Sequence, residues 1–295
     1  MKMYPISDFA AANEKIKAIL AQEKLQAGLK YPALAFLHPQ ATDRAIVFLH
    51  GFTNSPHQFS VLGRCFYDLG YNVWIPRQPQ HGLEDRTGAP LRSFHIDEYL
   101  AVCSQAVDIG SQIGRKLTVV GLSGGANAAI WLAQTRSDID LAVVIAPSLG
   151  VQFVPSPLTR TVVFLLGLMP DRLVWWDGKT KTANPESPDF AYTAFATRAM
   201  GEILKLGQRA KHLARKNKPQ ARRVLVVSNA NDRAVNQTEI RQLIGYLPQS
   251  MDVAAYEIPL EDDVAHDFIS PGQGQGKNEA LYPRLVDLIR AQENR

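Results

Sequence analysis

Leu117-Thr118-Val119-Val120-Gly121-Leu122-Ser123-Gly124-Gly125-Ala126 is the stretch that decides how this chain folds. It opens as a short apolar run of strand type, and Ala126–Gln134 continues with helical spacing. Between the two lies Gly-x-Ser-x-Gly, a pattern that a chain of this length carries by chance at about 0.1 copies. Its position at a strand-to-helix junction is what gives it meaning. A sharp turn there forces the central residue into a strained backbone, and glycine two residues to either side removes Cβ atoms that would clash. The Ser123 hydroxyl would then stand at the carboxyl end of a strand, with the next N–H free to bind negative charge. A Gly-rich turn with an incidental serine is the plainer account, so the rest of the chain has to decide.

A nucleophilic serine needs a base, and the base needs an orienting acid. In the strand-turn-helix arrangement they follow in the order serine, acid, histidine. Only His212 and His266 lie downstream. His212 sits in the basic helical stretch Arg209–Arg215, where a solvated surface histidine is expected. His266 follows the strand candidate Met251–Pro259 in an irregular segment, where a base can reach a neighbouring strand's serine. For the acid, Val224-Leu225-Val226-Val227 reads as a buried parallel strand, and Asp232 follows it. The competing loop, Pro147 to Pro170, contains no carboxylate. Asp262 and Asp263 are only a few residues from His266, better placed to solvate the loop than to orient its ring from another strand.

Upstream, His50-Gly51-Phe52-Thr53-Asn54 follows the strand Ala45–Leu49. A tight loop there can aim the Phe52 N–H at the same point as the Gly124 N–H, and two such donors would hold the oxyanion of an acyl-transfer intermediate. His50 is read as a brace of this loop. A helix follows at once: Ser55 as N-cap, Pro56 in the first turn, Gln58 completing a capping box, and Gly70 as the stop. Phe59, Leu62, Phe66 and Leu69 make its apolar stripe.

On His50-Gly51-Phe52-Thr53, Pro79-Gln80-His81-Gly82, Gly121-Leu122-Ser123-Gly124-Gly125, Asp232 and His266, the chain resembles the α/β-hydrolase family, and within it bacterial carboxylesterases and monoacylglycerol-lipase-like serine esterases. The resemblance covers about 45–150 and 220–295. It implies Ser123 as nucleophile, His266 as base, Asp232 as orienting acid, and the Phe52 and Gly124 amides as oxyanion hole. Two departures stand out: Asn229-Ala230-Asn231 where the family usually carries a glycine before the acid, and a small Gly124 after the nucleophile. The expected activity is hydrolysis of a small-molecule carboxylic ester, of short to medium acyl chain or monoacylglycerol type. Acyl transfer, amidase or peptidase chemistry on the same triad, or a non-catalytic ligand-binding relative, are the alternatives.

Strands near 45–49, 72–75, 117–122, 141–146, 223–228 and 251–258 alternate with helices near 56–69, 96–113, 125–134, 237–246 and 281–292. This predicts an α/β fold with a mostly parallel central sheet, helices on both faces, and ligands at the strands' carboxyl ends. A strand near Ala33–Leu37 is expected to pair antiparallel at the edge. Residues 149–205 break the alternation, with Pro155, Pro157, Pro170, Pro185 and Pro188 around an apolar run and Trp175-Trp176. They are expected to form an inserted cap on a core of 1–148 and 206–295, with Phe164, Trp175 and Trp176 against the substrate. The N-terminal stretch to about residue 30 reads as an amphipathic helix, Asp8–Ala27, capped by Ser7 and packed on the outside.

The 295 residues carry 32 basic and 28 acidic side chains, a net charge of +4. The basic residues bunch in Lys205–Arg223 without interleaved aromatics, which speaks against nucleic acid. No apolar run is long enough to span a bilayer, so no stable membrane insertion is expected. Cys65 and Cys103 read as free, packed thiols of a reducing, cytoplasmic compartment, and no metal-ligand spacing or cofactor motif is present. Gly272–Asn278 lacks the spacing of a phosphate loop and reads as a flexible loop.

Overall fold

The computed structural model describes residues 9–176, 188–247 and 252–295. Ser7, Asp8, Pro185 and Met251, which the sequence reading placed in a cap, a helix, the insertion and a strand, lie outside the described residues. Helix α1 (Phe9–Lys24) buries Ala12 and Ile16 against the domain. Then come β1 (Leu34–Phe36), β2 (Thr42–Leu49), α2 (Ser60–Asp68), β3 (Asn72–Ile75), α3 (Ile96–Ile113), β4 (Gly114–Leu122), α4 (Gly124–Thr135) and β5 (Leu141–Ile145). The alternation pauses over α5 (Ser156–Leu166), β6 (Leu173–Trp175) and β7 (Ala194–Ala196). It resumes with α6 (Thr197–Lys216), β8 (Arg223–Asn229), α7 (Gln237–Tyr246), β9 (Asp252–Ile258) and α8 (Lys277–Glu293).

Among the described residues seven strands form one sheet in the order β1-β3-β2-β4-β5-β8-β9, all parallel except β1 at the edge. Alternate residues of a strand feed opposite faces. Val47 and Leu49 join the layer that holds α1, α3, α4, α6 and α7, while Ile46 and Phe48 pack with α2 and α8. The chain leaves β2 toward β3 on one side and returns to β4 on the other. The carboxyl ends of β2 and β4 are therefore neighbours across a reversal of strand order, with Leu49 beside Gly121. Open α/β sheets bind ligands at such a reversal.

Several boundaries differ from the sequence reading. Ser55 is an N-cap, with Oγ accepting from the His57 N–H, but the first turn, Pro56–Phe59, is a 3₁₀ segment. Gln58 does not close a capping box: Ser55 N–H bonds Asn54 Oδ1, and the Gln58 amide reaches elsewhere. Leu69, at the helix end, is exposed instead of joining the buried stripe. The final helix starts at Lys277, not near 281. Pro283, which suits a first turn, lies inside it, and the stretch Gly272–Asn278, expected as a loop, holds a 3₁₀ turn at Gly274–Gly276 and the first two residues of that helix. Cys103 is buried and Cys65 half-buried, both free.

Two buried ionic contacts fasten helices to this frame. Glu293 of α8 takes hydrogen bonds of 2.5 Å from Arg44, Tyr71 and Thr118 at the amino edge of the sheet. Lys211 of α6 meets Glu239 of α7 at 2.5 Å, and Thr159 of α5 donates to the same carboxylate at 3.1 Å. Among the described residues, no helix is long and apolar enough to cross a membrane.

Candidate active site

Ser123 lies between β4 and α4 with φ +54° and ψ −112°, a conformation that costs a non-glycine residue on the order of 1–3 kcal/mol. The surroundings enforce it. A Cβ at Gly121 would come 2.2 Å from the Gly125 carbonyl oxygen, and one at Gly125 would come 2.0 Å from that of Leu49. Both obstacles are backbone, so only glycine lets the turn close this tightly. Ser123 N–H bonds the Ile145 carbonyl at 2.9 Å, which ties the turn to β5.

The loop after β2 is held just as firmly. The Gly51 carbonyl accepts from Asn54 N–H at 3.1 Å and from His50 Nδ1 at 3.0 Å. The Phe52 N–H belongs to the same trans peptide plane and points the opposite way. Among the described residues no protein acceptor takes it. The Gly124 N–H heads α4, where no preceding turn can accept it. The two groups are close, since a Cβ at Gly124 would lie 3.2 Å from the Phe52 nitrogen. The small residue after Ser123 thus leaves open the gap that a side chain would fill.

Behind the loop stand two buried histidines. His50 Nε2 accepts from Gln78 N–H and His81 Nε2 accepts from Thr53 N–H, so each ring is neutral with its proton on Nδ1. That proton goes to the Gly51 carbonyl from His50 and to the Pro79 carbonyl from His81. Burial holds both well below the usual histidine range, His81 down to about 4.

His266 and Asp232 come together as expected: His266 Nδ1 lies 2.6 Å from Asp232 Oδ2. Asp232 is buried, and its other oxygen accepts from Ala234 N–H at 2.8 Å. Burial pulls the His266 pKa down, but the hydrogen bond and charge of Asp232, helped by Asp267, outweigh it and raise it above the ordinary value. Nε2 remains for the cavity. Ser123 and His266 line the same cavity of about 670 Å³, although no hydrogen bond joins their side chains. His212 is exposed on α6, as expected.

The cavity's apolar wall comes from the segment after β5 and from α6, including Leu166, Val174, Trp176, Phe195, Met200 and Leu204. Of the three aromatic residues expected against a substrate, only Trp176 is there, donating from Nε1 to Thr53 Oγ1 at 3.1 Å. Trp175 and Phe164 do not line it. Val174 of β6 and Trp176 just past it line the cavity, Trp175 between them does not, and Phe164 is 60% exposed on α5.

Sequence reasoning missed Asn229, whose amide donates to the Val264 and Ala265 carbonyls at 3.0 and 2.9 Å and so carries the His266 loop. Its place at the end of a strand, three residues before Asp232, was the available signal. It also missed Asp267, which accepts from side chains of the loop after β2. Among the described residues, no three His, Cys, Asp or Glu side chains are grouped to hold a metal ion.

A model of the alpha/beta hydrolase family matches residues 46–271. A thermostable monoacylglycerol lipase of Bacillus sp. (strain H-257) is 25% identical over 184 residues, 60% of this chain and 68% of that protein. Among solved structures, one from the metagenome-derived lipolytic enzymes LipS and LipT aligns with a TM-score of 0.68 at 20% identity, covering 90% of this chain and 98% of that one. The monoacylglycerol lipase of Paleococcus ferrophilus aligns with a TM-score of 0.62, also at 20% identity, covering 88% and 99%.

Proposed function

The chain belongs to the alpha/beta hydrolase family, and from that premise we propose that it is a serine esterase hydrolysing carboxylic esters of short to medium acyl chain or monoacylglycerol type. In this reading Ser123 is the nucleophile, His266 the base and Asp232 the orienting acid, with the Phe52 and Gly124 N–H groups as oxyanion donors. The observation that carries it is the 2.6 Å contact of Asp232 with His266 Nδ1. It commits that nitrogen's proton to the carboxylate and leaves Nε2 as a base on the cavity that Ser123 lines.

Attack of Ser123 Oγ on the ester carbonyl passes its proton to His266 Nε2, and the two N–H groups take up the charge forming on the carbonyl oxygen. The imidazolium then protonates the leaving alcohol, and Ser123 carries the acyl group. Water, giving its proton to the same nitrogen, attacks the acyl-enzyme and releases the acid. The described residues between β5 and α6 serve as a cap that, together with α6, gives the apolar wall that receives the acyl chain and excludes water; the expected boundary at 205 falls inside α6 (Thr197–Lys216), which packs in the core layer with α4. Supporting the ester class are the apolar lining and the likeness to a monoacylglycerol lipase.

The test is labelling by a fluorophosphonate together with turnover of 4-nitrophenyl esters. Wild type should label and hydrolyse, and Ser123→Ala should lose the label and about 10⁶ in kcat. A Ser123→Ala protein near wild-type turnover would end the proposal.

A further inference from the structure

Asp267 follows His266 in sequence, yet its side chain turns away from the Asp232 pair toward the loop after β2. Its two oxygens have different duties. Oδ1 accepts from the N–H groups of Ile269 and Ser270, at 3.2 and 2.9 Å, and shapes its own turn. Oδ2 accepts from Ser270 Oγ at 2.6 Å and from two distant amides, Gln58 Nε2 at 2.8 Å and Asn54 Nδ2 at 2.9 Å. Gln58 passes the connection on, because its Oε1 accepts the Gly51 N–H at 2.7 Å. Asn54 does so as well, its own N–H bonding the Gly51 carbonyl. Both ends of Gly51, the residue whose carbonyl shares a peptide plane with the Phe52 N–H, are thereby fixed from the histidine loop.

We propose that Asp267 is a positioning residue that clamps the base-bearing loop to the oxyanion loop through Gln58 and Asn54. The clamp rests on the triad reading above and adds to it a reason why the two halves of the site keep their spacing. A turn-capping role alone would need only Oδ1, and a neutral amide could fill it. The remote bonds need something different: Gln58 and Asn54 both present N–H donors, so the facing atom has to be an acceptor. The charged groups that bear on His266 are Asp232, on the loop after β8, and Asp267. Tyr282 of α8, bonded to the Ile269 carbonyl, also feels this charge: burial first, then Glu279 and Asp267, hold its hydroxyl far above the usual range. Asn278 of α8 is neutral and donates to the Asp267 and Ser270 carbonyls, at 3.1 and 2.8 Å, not to the Asp267 carboxylate.

Two variants separate the parts. Asp267→Asn keeps the Oδ1 turn but sets an NH₂ against two NH₂ groups and removes the charge. Expected are a fall in kcat of about 10²-fold, the cost of a misplaced catalytic group, with KM changed less than threefold, and an acid limb of kcat/KM displaced to lower pH. Gln58→Leu keeps the charge but cuts the link to Gly51. It should lower kcat and leave the acid limb where it is in wild type. An unmoved acid limb together with wild-type kcat in folded Asp267→Asn would overturn the proposal. Should that variant fail to fold, wild-type kcat in Gln58→Leu overturns it equally. Wild-type protein that a fluorophosphonate does not label at Ser123 would instead remove the triad reading, and the clamp with it.

Discussion

Gly125 illustrates how tightly single residues are bound to their places. A Cβ there would sit 2.0 Å from one backbone oxygen and 2.6 Å from the next, so no rotamer change relieves it. Gly125→Ala should cost about 3 kcal/mol or more, read as a lower urea midpoint at unchanged m-value. Asp232 acts through a proton instead of through space. In Asp232→Asn the amide NH₂ faces His266 Nδ1 and drives the ring proton to Nε2, the nitrogen proposed as base. A loss in kcat of about 10⁴ is expected, with folding intact. The wild-type pH profile follows from the raised pKa of His266. In the proposed mechanism the reacting form is the neutral imidazole, so kcat/KM should climb with pH through a midpoint above 6.5, the ordinary value. A midpoint below it would mean that burial, not Asp232, governs the ring.

At the scale of elements, the parallel strands were legible because each is a short apolar run between turn residues. The serine turn was legible because its glycines are chemically obligatory. Asp232 and His266, which meet in the structure, were legible from the order serine, acid, histidine together with their places in loops that follow strands. What escaped was whatever depends on side chains meeting across loops. Gln58 has the spacing of a capping box, yet a Gly51 N–H and the Asp267 carboxylate compete for its amide and win. Trp175 and Trp176 look equivalent in sequence, but Trp175 ends β6 away from the cavity, whereas Trp176, just past the strand, lines it. Acyl-chain preference should therefore respond to Met200→Ala and Trp176→Ala, which enlarge the cavity wall, and not to Phe164→Ala at the exposed face of α5. A panel of 4-nitrophenyl esters from acetate to laurate reads this directly. A profile altered by Phe164→Ala alone would contradict it.

Across the molecule, stability and site share the same buried imidazoles. His50 and His81 are neutral when folded and free to protonate when unfolded, so below pH 6.5 the unfolded chain binds more protons. Stability must then fall as pH drops from 6.5, with the His81 share ending near its folded value of about 4. For His81 alone the full loss is about 3 kcal/mol. The urea midpoint should already decline between pH 6.5 and 5, before most carboxylates titrate. A flat midpoint over that interval would show that the two rings are not held neutral. The grip on Glu293 has a different outcome, for where the polypeptide can be trimmed. Removing Arg295 takes away none of the three donors' partner, whereas a truncation ending at Gln292 strips Arg44 of both Glu293 and Asn294 and leaves its guanidinium only the longer contact with Asp43 at 3.9 Å. The longer deletion should destabilise the fold by up to what a broken buried pair costs, about 3–5 kcal/mol, read as a lower melting temperature, and the shorter one should leave that temperature untouched.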